Sequence, residues 1–503
     1  MSDVGRWEVA LRGAERGSGG AAAEPAFLRI ARAIADDIRR GRLKAGDAMP
    51  GSRVAATSVG VHRNTVLAAY RECIAEGWLV TEPARGTFVS PALPDTEAVR
   101  PRARRDATAY DLPPLVPLEL PDAPMTLGGG VPDVRLFPAE ALARAMRRAM
   151  RRRPLEVLSY GDPAGPTALR RAIAAMVAAT RGVPARVENV LVVRGSQMGL
   201  DLVARTLLRA GDRVAIESFG YRPAWEALAA SGARLVPTRI DERGLDVDAL
   251  GDGLRAVYVT PHHQFPTTVT LDAARRLRLL ELAREQRFFI LEDDYDHEFH
   301  YVGRPVLPLA SSDRHGSVIY VGTFSKVLAP GLRLGFVVAP APVIERLTRT
   351  RRFVDRQGDH TLCTALAELI EDGEVQRHIR RARRIYGERR ERNAELLRRT
   401  LGSAIDFELP SGGTAIWARV DPALDVDAWA VRALERGLLL QPARLFSSDG
   451  ESHPFLRLGF AQHDDAEARE AVKRLAASRP RSGGDALSRE RPRSPRSRSS
   501  RGS

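Results

Sequence analysis

A short apolar run, Ser317–Gly322, ends in a polar cluster formed by Thr323, Ser325 and Lys326. The run contains several β-branched residues and is typical of a buried strand in a parallel sheet. Open α/β sheets bind their ligands beyond the carboxyl ends of such strands. We therefore expect an α/β domain with a ligand site at this polar cluster.

Lys326 is unusual in this chain, because arginine provides the positive charge almost everywhere else. Of 77 lysine and arginine residues, only Lys44, Lys326 and Lys473 are lysines. A partly desolvated lysine can lose its proton and attack a carbonyl to form a Schiff base, which arginine cannot do. Lys326 is thus a candidate nucleophile, although the spacing alone also allows a surface lysine on a loop.

The chain around Lys326 resembles the lysine motif of fold-type-I pyridoxal-phosphate (PLP) aminotransferases, with TFSK at residues 323–326 and GLRLG at 331–335. More narrowly, residues 25–475 resemble the MocR/GabR-type transcriptional regulators. These form a branch of the GntR family that joins a winged helix-turn-helix to an aminotransferase-like domain. The resemblance implies PLP as the cofactor, bound as a Schiff base at Lys326. The phosphate contacts that it implies here are Thr323, Ser325 and Arg333.

Length and cysteine content limit the class of protein. The 503 residues, 44% of them hydrophobic, are enough for two or three cores. The two cysteines, Cys73 and Cys363, lie far apart and predict neither a disulfide framework nor a zinc site. No stretch is typical of a signal peptide or of a membrane span, so we expect a cytoplasmic protein with no membrane partner.

The formal net charge of +14 favours a polyanionic partner. Part of this charge lies in Arg479–Ser503, which contains eight arginines and two acidic residues. This tail is rich in Ser, Pro and Arg, so we predict that residues 476–503 are disordered and attract phosphates without reading a sequence. The arginine-rich segments 343–355 and 377–401 are predicted to be helices whose arginines are mainly solvated.

Residues 25–91 carry the pattern of a small DNA-binding domain. Apolar residues at helical spacing predict a first helix over Phe27–Ile38, followed by a short alanine-rich helix and a third helix over His62–Glu76. Two short β-type segments joined by Pro83–Gly86 predict a hairpin. Three helices and a hairpin form a winged helix-turn-helix (α+β), and the motifs resemble those of the GntR domain in order and spacing.

The resemblance places the third helix in the major groove of a DNA operator, with the start of the helix at the base edges. His62 occupies a position where Ser is usual, which we expect to affect operator choice. A small helical domain with solvated arginines is the alternative. The residues expected to contact double-stranded DNA are Arg53, His62, Arg63, Thr65, Arg85 and Gly86.

Two further segments complete the predicted organisation. Residues 92–124 are rich in Pro, Ala, Arg and Asp and lack sustained periodicity, so we predict a linker. We assign residues 125–475 to an α/β PLP-dependent transferase domain of fold type I, which ends in a small C-terminal α+β subdomain.

The cofactor phosphate is expected at the turn from the strand Asn189–Val193 into the next helix. This turn contains Gly195, and a helix start offers free backbone N–H groups to an anion. The resemblance adds Tyr221, which stacks on the pyridine ring, and Tyr160, which reaches the cofactor of the partner subunit in a homodimer. From sequence alone, Tyr160 is nearly as consistent with a core tyrosine. The cofactor-binding residues at the helix start are Ser196 and Gln197.

An acidic group follows another buried strand, Arg287–Leu291, and implies a cationic partner because unpaired buried carboxylates are costly. By resemblance, Asp293 pairs with the protonated pyridine nitrogen, and Tyr295 donates to the ring oxygen. Asp294 is the alternative to Asp293. An acid cluster that caps the strand or binds a metal is a further alternative. No matching His/Asp set completes a metal shell, so we expect no metal.

Two positions bear on the chemistry of the pocket. Phe265 stands where true aminotransferases usually carry an Asn that hydrogen-bonds the ring oxygen, which favours a sensor over an efficient enzyme. Arg457 stands where family members bind a substrate carboxylate, a role suited to the guanidinium fork. This predicts a carboxylate-bearing amine, such as an amino acid, as the ligand.

Together these features predict a PLP-dependent DNA-binding transcriptional regulator that senses an amine, an amino acid or PLP itself through the Schiff base at Lys326. We expect a nucleoid-associated homodimer with at most vestigial transaminase activity. The alternative is an active PLP-dependent aminotransferase with an accessory DNA-binding domain, which the complete set of Lys326, Asp293 and Arg333 allows.

Overall fold

Residues 25–93 and 121–480 are described by the computed structural model, and the chain divides into two units between Pro117 and Leu118. Residues 94–120, which make up most of the predicted linker, and the predicted tail beyond residue 480 lie outside the described residues. Among the described residues, no helix combines the length and the apolar character needed to cross a membrane.

The first unit folds around the apolar face predicted for its first helix. Ile30, Ile34 and Ile38 recur every four residues, share one face of this helix and lie buried in one core with Val66 and Tyr70 of the third helix. Two strands follow as an antiparallel hairpin, which confirms the predicted winged helix-turn-helix. Within residues 25–93 the elements are α1 (Ala26–Arg39), α2 (Ser52–Val59), α3 (Arg63–Ala75), β1 (Leu79–Glu82) and β2 (Gly86–Val89).

The second unit is built on a seven-stranded sheet and a smaller four-stranded sheet. Its described strands are β3 (Met125–Thr126), β4 (Val190–Val193), β5 (Arg213–Glu217), β6 (Arg234–Thr238), β7 (Ile240–Asp241), β8 (Gly244–Leu245), β9 (Leu254–Val259), β10 (Phe289–Asp294), β11 (Val318–Thr323), β12 (Gly335–Val338), β13 (Ile405–Asp406), β14 (Ala415–Val420), β15 (Leu438–Leu439), β16 (Gln441–Pro442) and β17 (Phe455–Gly459). The larger sheet has the order β4-β12-β11-β10-β9-β5-β6, and only β12 runs antiparallel to the others. This sheet confirms the predicted α/β fold.

Helices cover both faces of the larger sheet. Val190 and Val192 of β4 belong to one hydrophobic core, whereas Leu191 and Val193 belong to another. Because side chains alternate across a strand, the sheet has a core on each face, which explains its continuous apolar strands. The described helices of this unit are α4 (Ala139–Arg152), α5 (Pro154–Leu158), α6 (Thr167–Arg181), α7 (Gly195–Leu207), α8 (Arg222–Ala230), α9 (Ala273–Gln286), α10 (Leu309–Ser312), α11 (Ala341–Val354), α12 (His360–Glu371), α13 (Glu374–Leu401), α14 (Val426–Glu435) and α15 (Asp465–Ala477).

The predicted small C-terminal subdomain is the four-stranded sheet β13-β14-β17-β16 together with α14 and α15. Trp429 of α14 is fully buried, and its Nε1 donates to the Leu475 carbonyl (3.0 Å) and the Ser478 hydroxyl (3.1 Å). Ser478 is itself buried. The folded domain therefore continues a few residues beyond the predicted boundary at Leu475.

Some arginines of α11 and α13 are buried, contrary to the predicted solvated faces. Arg351 has no exposed surface; its Nη1 donates to the Pro163 carbonyl (2.9 Å), and its Nε donates to Asp355 (3.0 Å). Arg389 is also buried and pairs with Asp133 at 2.9 Å. Carbonyl and carboxylate oxygens replace water for these guanidinium groups, so the prediction is wrong for both residues.

The parallel strands place the predicted ligand site at one edge of the larger sheet. β9, β10 and β11 are neighbours and end at Val259, Asp294 and Thr323, respectively. Because the carboxyl ends of parallel strands meet at the same edge, the segments that follow these strands come together there.

Candidate cofactor pocket and DNA-binding surface

A cavity at this edge of the sheet brings together ten of the predicted site residues from distant parts of the chain. Of the predicted cofactor- and substrate-binding residues, all but Tyr160 line it. Its lining residues are Gly130, Ser196, Gln197, Tyr221, Thr260, Phe265, Asp293, Tyr295, Thr323, Ser325, Lys326, Pro330, Arg333 and Arg457.

Lys326 follows β11 and is half-buried in the cavity wall. Burial lowers the pKa of its amine to about 8, with a further lowering by the positive charge of Arg457, and the carboxylates of Asp296 and Asp293 oppose this change. About a tenth of the amine is therefore unprotonated at pH 7, far more than for a solvated lysine. This is the state that a lysine needs in order to attack a carbonyl.

Asp293 presents one free carboxylate oxygen at the end of β10. Its Oδ2 accepts a hydrogen bond from the Tyr258 hydroxyl (3.0 Å), whereas Oδ1 is buried and has no hydrogen-bond partner within residues 25–93 and 121–480. Burial raises the pKa of Asp293 to about 7, although the Tyr258 hydrogen bond favours its charged form. A free buried oxygen is costly unless a donor meets it, and a protonated ring nitrogen is a suitable donor.

Asp294, the alternative to Asp293, interacts with protein side chains outside the cavity. Its Oδ2 accepts from the Tyr320 hydroxyl (2.6 Å) and lies 3.3 Å from Nδ1 of His297. Interactions with His297, together with the positive charge of Arg181, hold the pKa of Asp294 far below its usual range despite burial. Asp293 lines the cavity and Asp294 does not, as expected for successive residues of a strand.

The predicted phosphate ligands surround the start of α7. Gly195 has a φ of +75°, and a Cβ there would lie 2.9 Å from Nη2 of Arg333, so only glycine leaves room for this guanidinium. Nη2 of Arg333 donates to the Arg194 carbonyl (3.2 Å), and the Ser325 N–H donates to Oγ1 of Thr323 (3.1 Å). A helix start beside a guanidinium and hydroxyl groups is suited to a phosphate.

Gln197 lies in the same wall but is partly used by the protein itself. Its Nε2 donates to the Pro223 carbonyl (2.7 Å), whereas Oε1 is buried and lacks a partner in the described part of the chain. Gln197 therefore offers its side-chain oxygen, an acceptor, and its backbone N–H to a ligand.

Three aromatic rings form one side of the cavity, with Phe265 between the other two. The ring centroids of Phe265 and Tyr221 are 5.7 Å apart, and those of Phe265 and Tyr295 are 5.9 Å apart, both edge to face. The Tyr295 hydroxyl donates to the His263 carbonyl (3.0 Å). Phe265 has no side-chain amide, so it cannot supply the hydrogen bond that an Asn provides at this position in aminotransferases.

Arg457 of β17 is a buried cation at the cavity, and two of its guanidinium nitrogens have no partner among the described residues. It is 1% exposed, its guanidinium lies 4.6 Å from the Phe265 ring centroid, and its Nε and Nη1 have no hydrogen-bond partner among the described residues. A Cβ added to Gly130 would lie 3.4 Å from Nη1 of Arg457 and 3.6 Å from Nζ of Lys326. The guanidinium and the amine thus face the same small space, where an anionic ligand group would satisfy Arg457.

Tyr160 lies apart from the cavity. Its side chain is 78% exposed, and the Arg356 guanidinium lies 4.1 Å from the centroid of its ring. The alternative of a core tyrosine is therefore wrong. Its assignment to the cofactor of a partner subunit stays a prediction.

Two residues that shape the pocket, Tyr258 and Thr260, were not predicted from the sequence. Tyr258 holds Asp293, while Thr260 lines the cavity and donates through Oγ1 to the buried Glu217 (2.7 Å). Both lie at the end of β9 and are two residues apart, so they face the same side of the sheet. Polar side chains at the end of an apolar strand were the signal that could have identified them.

The residues predicted to contact DNA are exposed or partly exposed in the first unit. The predicted third helix begins one residue later than expected, because His62 is its N-cap: Nδ1 of His62 accepts from the Asn64 N–H (3.2 Å). Nε of Arg63 donates to Oγ of Ser52 (3.1 Å), which links the start of α3 to the start of α2. Arg85 pairs with Glu82 at 2.5 Å within the hairpin.

The remaining DNA-binding candidates are Arg53, Thr65 and Gly86. Arg53 and Gly86 are exposed, and Thr65 is partly exposed. Gly86 has a φ of +121°, which favours glycine at the tip of the wing.

Each of the two units is similar to a known protein family. Residues 27–89 match the bacterial regulatory proteins of the gntR family, and residues 124–475 match the class I and II aminotransferases. The chain is 33% identical over 453 residues to the probable rhizopine catabolism regulatory protein MocR of Rhizobium meliloti, which covers 88% of this chain and 91% of that protein. It is 34% identical over 465 residues to the HTH-type transcriptional regulator TauR of Rhodobacter capsulatus, covering 89% and 95% of the two chains.

One solved structure similar to this chain is LysN, an α-aminoadipate aminotransferase from Thermus thermophilus complexed with N-(5'-phosphopyridoxyl)-L-leucine. It has 30% identity and a TM-score of 0.66, and the match covers 70% of this chain and 91% of LysN. The match therefore leaves out the DNA-binding unit.

A GntR-type winged helix-turn-helix followed by an aminotransferase fold defines a class of PLP-dependent DNA-binding regulators. This chain belongs to the MocR-type family of transcriptional regulators, and its second unit belongs to the class I and II aminotransferase family. The predicted resemblance is thereby confirmed. The cofactor of this fold is pyridoxal phosphate, and the residues present fit it: a free Asp293 oxygen, a Lys326 amine of lowered pKa and an anion site at α7.

Proposed function

We propose that this regulator senses a primary amine that carries a carboxylate, such as an amino acid, in the PLP-loaded pocket of its second unit. The observation that supports this ligand class is the pair formed by Lys326 and Arg457. Both face the space beside Gly130, and Nε and Nη1 of Arg457 lack partners among the residues that the structure describes. An amino acid would present its amine toward Lys326 and its carboxylate to Arg457.

The residues of the pocket have distinct proposed roles. Lys326 holds the cofactor covalently, Asp293 keeps a proton on the pyridine nitrogen, and Tyr221 covers the ring. With the cofactor bound, Tyr295 would turn its hydroxyl proton from the His263 carbonyl to the ring oxygen. Bound PLP supplies an electrophilic carbon at which a primary amine can exchange with the lysine amine. The residues that we propose as phosphate ligands are Ser196, Gln197, Thr323, Ser325 and Arg333.

The first unit supplies the output, which is binding to an operator in double-stranded DNA. We propose that residues at the start of α3, together with Arg53 and the wing residues Arg85 and Gly86, contact this DNA. If ligand binding changes the affinity for the operator, thermodynamic linkage requires that the operator changes the affinity for the ligand by the same factor. We further propose that the protein acts as a homodimer at the nucleoid in the cytoplasm, with Tyr160 reaching the partner's cofactor.

An active aminotransferase is the second candidate function. Lys326, Asp293 and Arg333 all line the cavity, so the chain retains the central residues for transamination chemistry. Phe265 favours the regulator, because it supplies no hydrogen bond to the ring oxygen.

The two functions are separated by the visible absorbance of the full-length PLP-loaded protein during titration with amino acids and with the amines that lack their carboxylates. For a sensor, one carboxylate-bearing amine shifts the absorbance band persistently and changes the affinity for an operator selected from random duplexes. For an enzyme, the band decays steadily and a keto acid restores it. A Lys326→Ala variant that still responds to the amine would refute covalent sensing.

A further inference from the structure

Four histidines lie close together after the ends of two neighbouring strands that also contribute to the cofactor pocket. His262 and His263 follow β9, and His297 and His300 follow the neighbouring strand β10. The ring centroids of His262 and His263 are 4.2 Å apart, those of His262 and His297 are 4.6 Å apart, and those of His263 and His300 are 5.9 Å apart. The chain has only ten histidines, so this cluster holds a large share of them.

The cluster presents buried ring nitrogens that the protein does not satisfy. His262 and His263 are 3% and 1% exposed. Both ring nitrogens of His262, Nε2 of His263 and Nδ1 of His300 lack a hydrogen-bond partner within residues 25–93 and 121–480. An unsatisfied buried polar atom is costly, so a group that binds these nitrogens together would remove several such penalties.

Three of these residues also have the spacing of a metal site. One ring nitrogen from each of His262, His263 and His300 lies within 4.8 Å of the other two. Tetrahedral zinc with bonds of about 2.0–2.1 Å places its nitrogen ligands about 3.3 Å apart. The three nitrogens would therefore have to approach one another by up to about 1.5 Å to hold one ion.

A carboxylate orients one of the three rings. Nδ1 of His263 lies 2.8 Å from Oδ1 of the buried Asp296, which leaves Nε2 as the nitrogen free for a ligand. Histidine ligands of metals commonly donate their second ring N–H to such a carboxylate.

We propose that His262, His263 and His300 form a site for a divalent transition metal of the zinc class, with a fourth position open to water. Imidazole ligands suit zinc, copper, iron and nickel, and a neutral three-histidine set with an open position is a zinc arrangement. The carboxylates of Asp294 and Asp296 balance the charge of the ion nearby. Nδ1 of His297 lies 3.3 Å from Asp294, and this fourth histidine is not among the three residues with the spacing of a metal site.

The metal would fix two segments that support the sensor pocket. His263 is two residues from Phe265, and its carbonyl accepts the Tyr295 hydroxyl. The three histidines are not among the residues that line the cofactor cavity. The metal therefore acts as a structural support beside the cofactor cavity.

The test uses the full-length chain without an affinity tag and zinc as the probe. Competition with a chromogenic chelator is expected to show one tight zinc per chain, and cobalt in its place is expected to give the visible bands of a tetrahedral site. His262→Ala and His300→Ala should each weaken zinc binding by more than about 100-fold, and Asp296→Asn by about 10- to 100-fold. The matched control is His315→Ala, an exposed histidine outside the cluster, which should leave zinc affinity within about twofold.

Several outcomes would overturn the site. The first is a wild-type protein whose zinc affinity is no higher than that of the cluster variants. The second is a cobalt spectrum typical of octahedral coordination. The third is an equal effect of His300→Ala and His315→Ala on zinc affinity. If His262→Ala fails to fold, the zinc affinity of the variant at the half-buried His300 and the cobalt spectrum of the wild type still test the site. Neither PLP nor an amine enters these measurements, so this proposal can fail while the proposed sensor function stands, and the reverse.

Discussion

The Tyr258 hydroxyl donates to Oδ2 of Asp293 at 3.0 Å and leaves Oδ1 of the same carboxylate buried and without a partner among the described residues. Tyr258 lies on β9 and Asp293 on the adjacent β10. The hydrogen bond fixes the orientation of the carboxylate, so the free oxygen is held ready for a donor on the cofactor. This relationship leads to the first prediction.

Asp293→Asn is expected to weaken PLP binding by about 10- to 100-fold, because a hydrogen bond to a charged partner contributes about 1.5–3 kcal/mol. The matched variant Tyr258→Phe removes only the supporting hydrogen bond and should weaken binding by less than about tenfold. Both values come from titration of cofactor-free protein with PLP, followed by absorbance. Equal affinities for wild type and Asp293→Asn would show that Asp293 does not meet the pyridine nitrogen.

The pKa of Lys326 predicts how fast the protein captures PLP at different pH values. The unprotonated amine is the nucleophile, and burial lowers its pKa from 10.5 to about 8. The rate of capture should therefore rise with pH and level off above about pH 8. Stopped-flow absorbance of cofactor-free protein mixed with PLP gives this profile. A midpoint near pH 10 would mean that the amine is solvated like a surface lysine.

The same pKa shift has a consequence for stability. Because the pKa of Lys326 is lower in the folded chain than in the unfolded chain, protonation of the amine opposes folding. This penalty is fully present below about pH 8 and disappears as the pH rises toward about 10.5. Between these values the cofactor-free protein should gain stability relative to Lys326→Met, as measured by urea unfolding.

Strand ends made part of the pocket predictable from sequence. Lys326 and Asp293 each follow an apolar run, and parallel strands bring such positions to one edge of the sheet. Arg457 lies more than 100 residues away on a different sheet, and only the family resemblance connected it to the pocket. No pattern in the sequence around Arg457 indicates that its side chain lies beside Lys326 in the folded chain.

Other features depend on contacts that a one-dimensional pattern does not contain. Arg351 lies in an arginine-rich helix, and its burial depends on carbonyl groups from segments about 160–190 residues away. The histidines 262, 263 and 300 were not predicted to lie together because they belong to two segments that are far apart in sequence. Pairing of β9 with β10 brings those segments together.

Arg457→Lys is expected to weaken binding of a carboxylate-bearing amine by about 10- to 100-fold while leaving PLP binding close to wild type. Lysine keeps the charge but loses the planar fork that binds both carboxylate oxygens. Absorbance titration gives both affinities, and thermal unfolding shows whether the buried substitution alters the fold. The matched control is Arg419→Lys, an exposed arginine on β14, the strand that pairs with β17. Equal affinities for the amine and its decarboxylated analogue in wild type would remove the basis of the proposal.

His62→Ser is expected to change the preferred operator sequence without loss of stability. The side chain of His62 caps α3 by accepting the Asn64 N–H, and Ser is among the best residues for this role. Selection from a random duplex library, followed by sequencing, compares the operators of the two proteins. Recovery of the same sequences by both would show that His62 does not read bases.

Arg85→Ala is expected to weaken binding to all duplexes by a similar factor and to leave the preferred operator unchanged. We expect Arg85 at the wing to contact a phosphate, and its present partner Glu82 is exposed, so little stability should be lost. Each phosphate contact releases counterions, so the slope of log affinity against log salt should become shallower by about 0.9. The measurement is fluorescence anisotropy of a labelled operator and of an unrelated duplex at several salt concentrations.

The matched control is Arg40→Ala, an exposed arginine at the end of α1 that was not predicted to touch DNA. Equal salt slopes for the Arg85 and Arg40 variants would place the wing away from the phosphates.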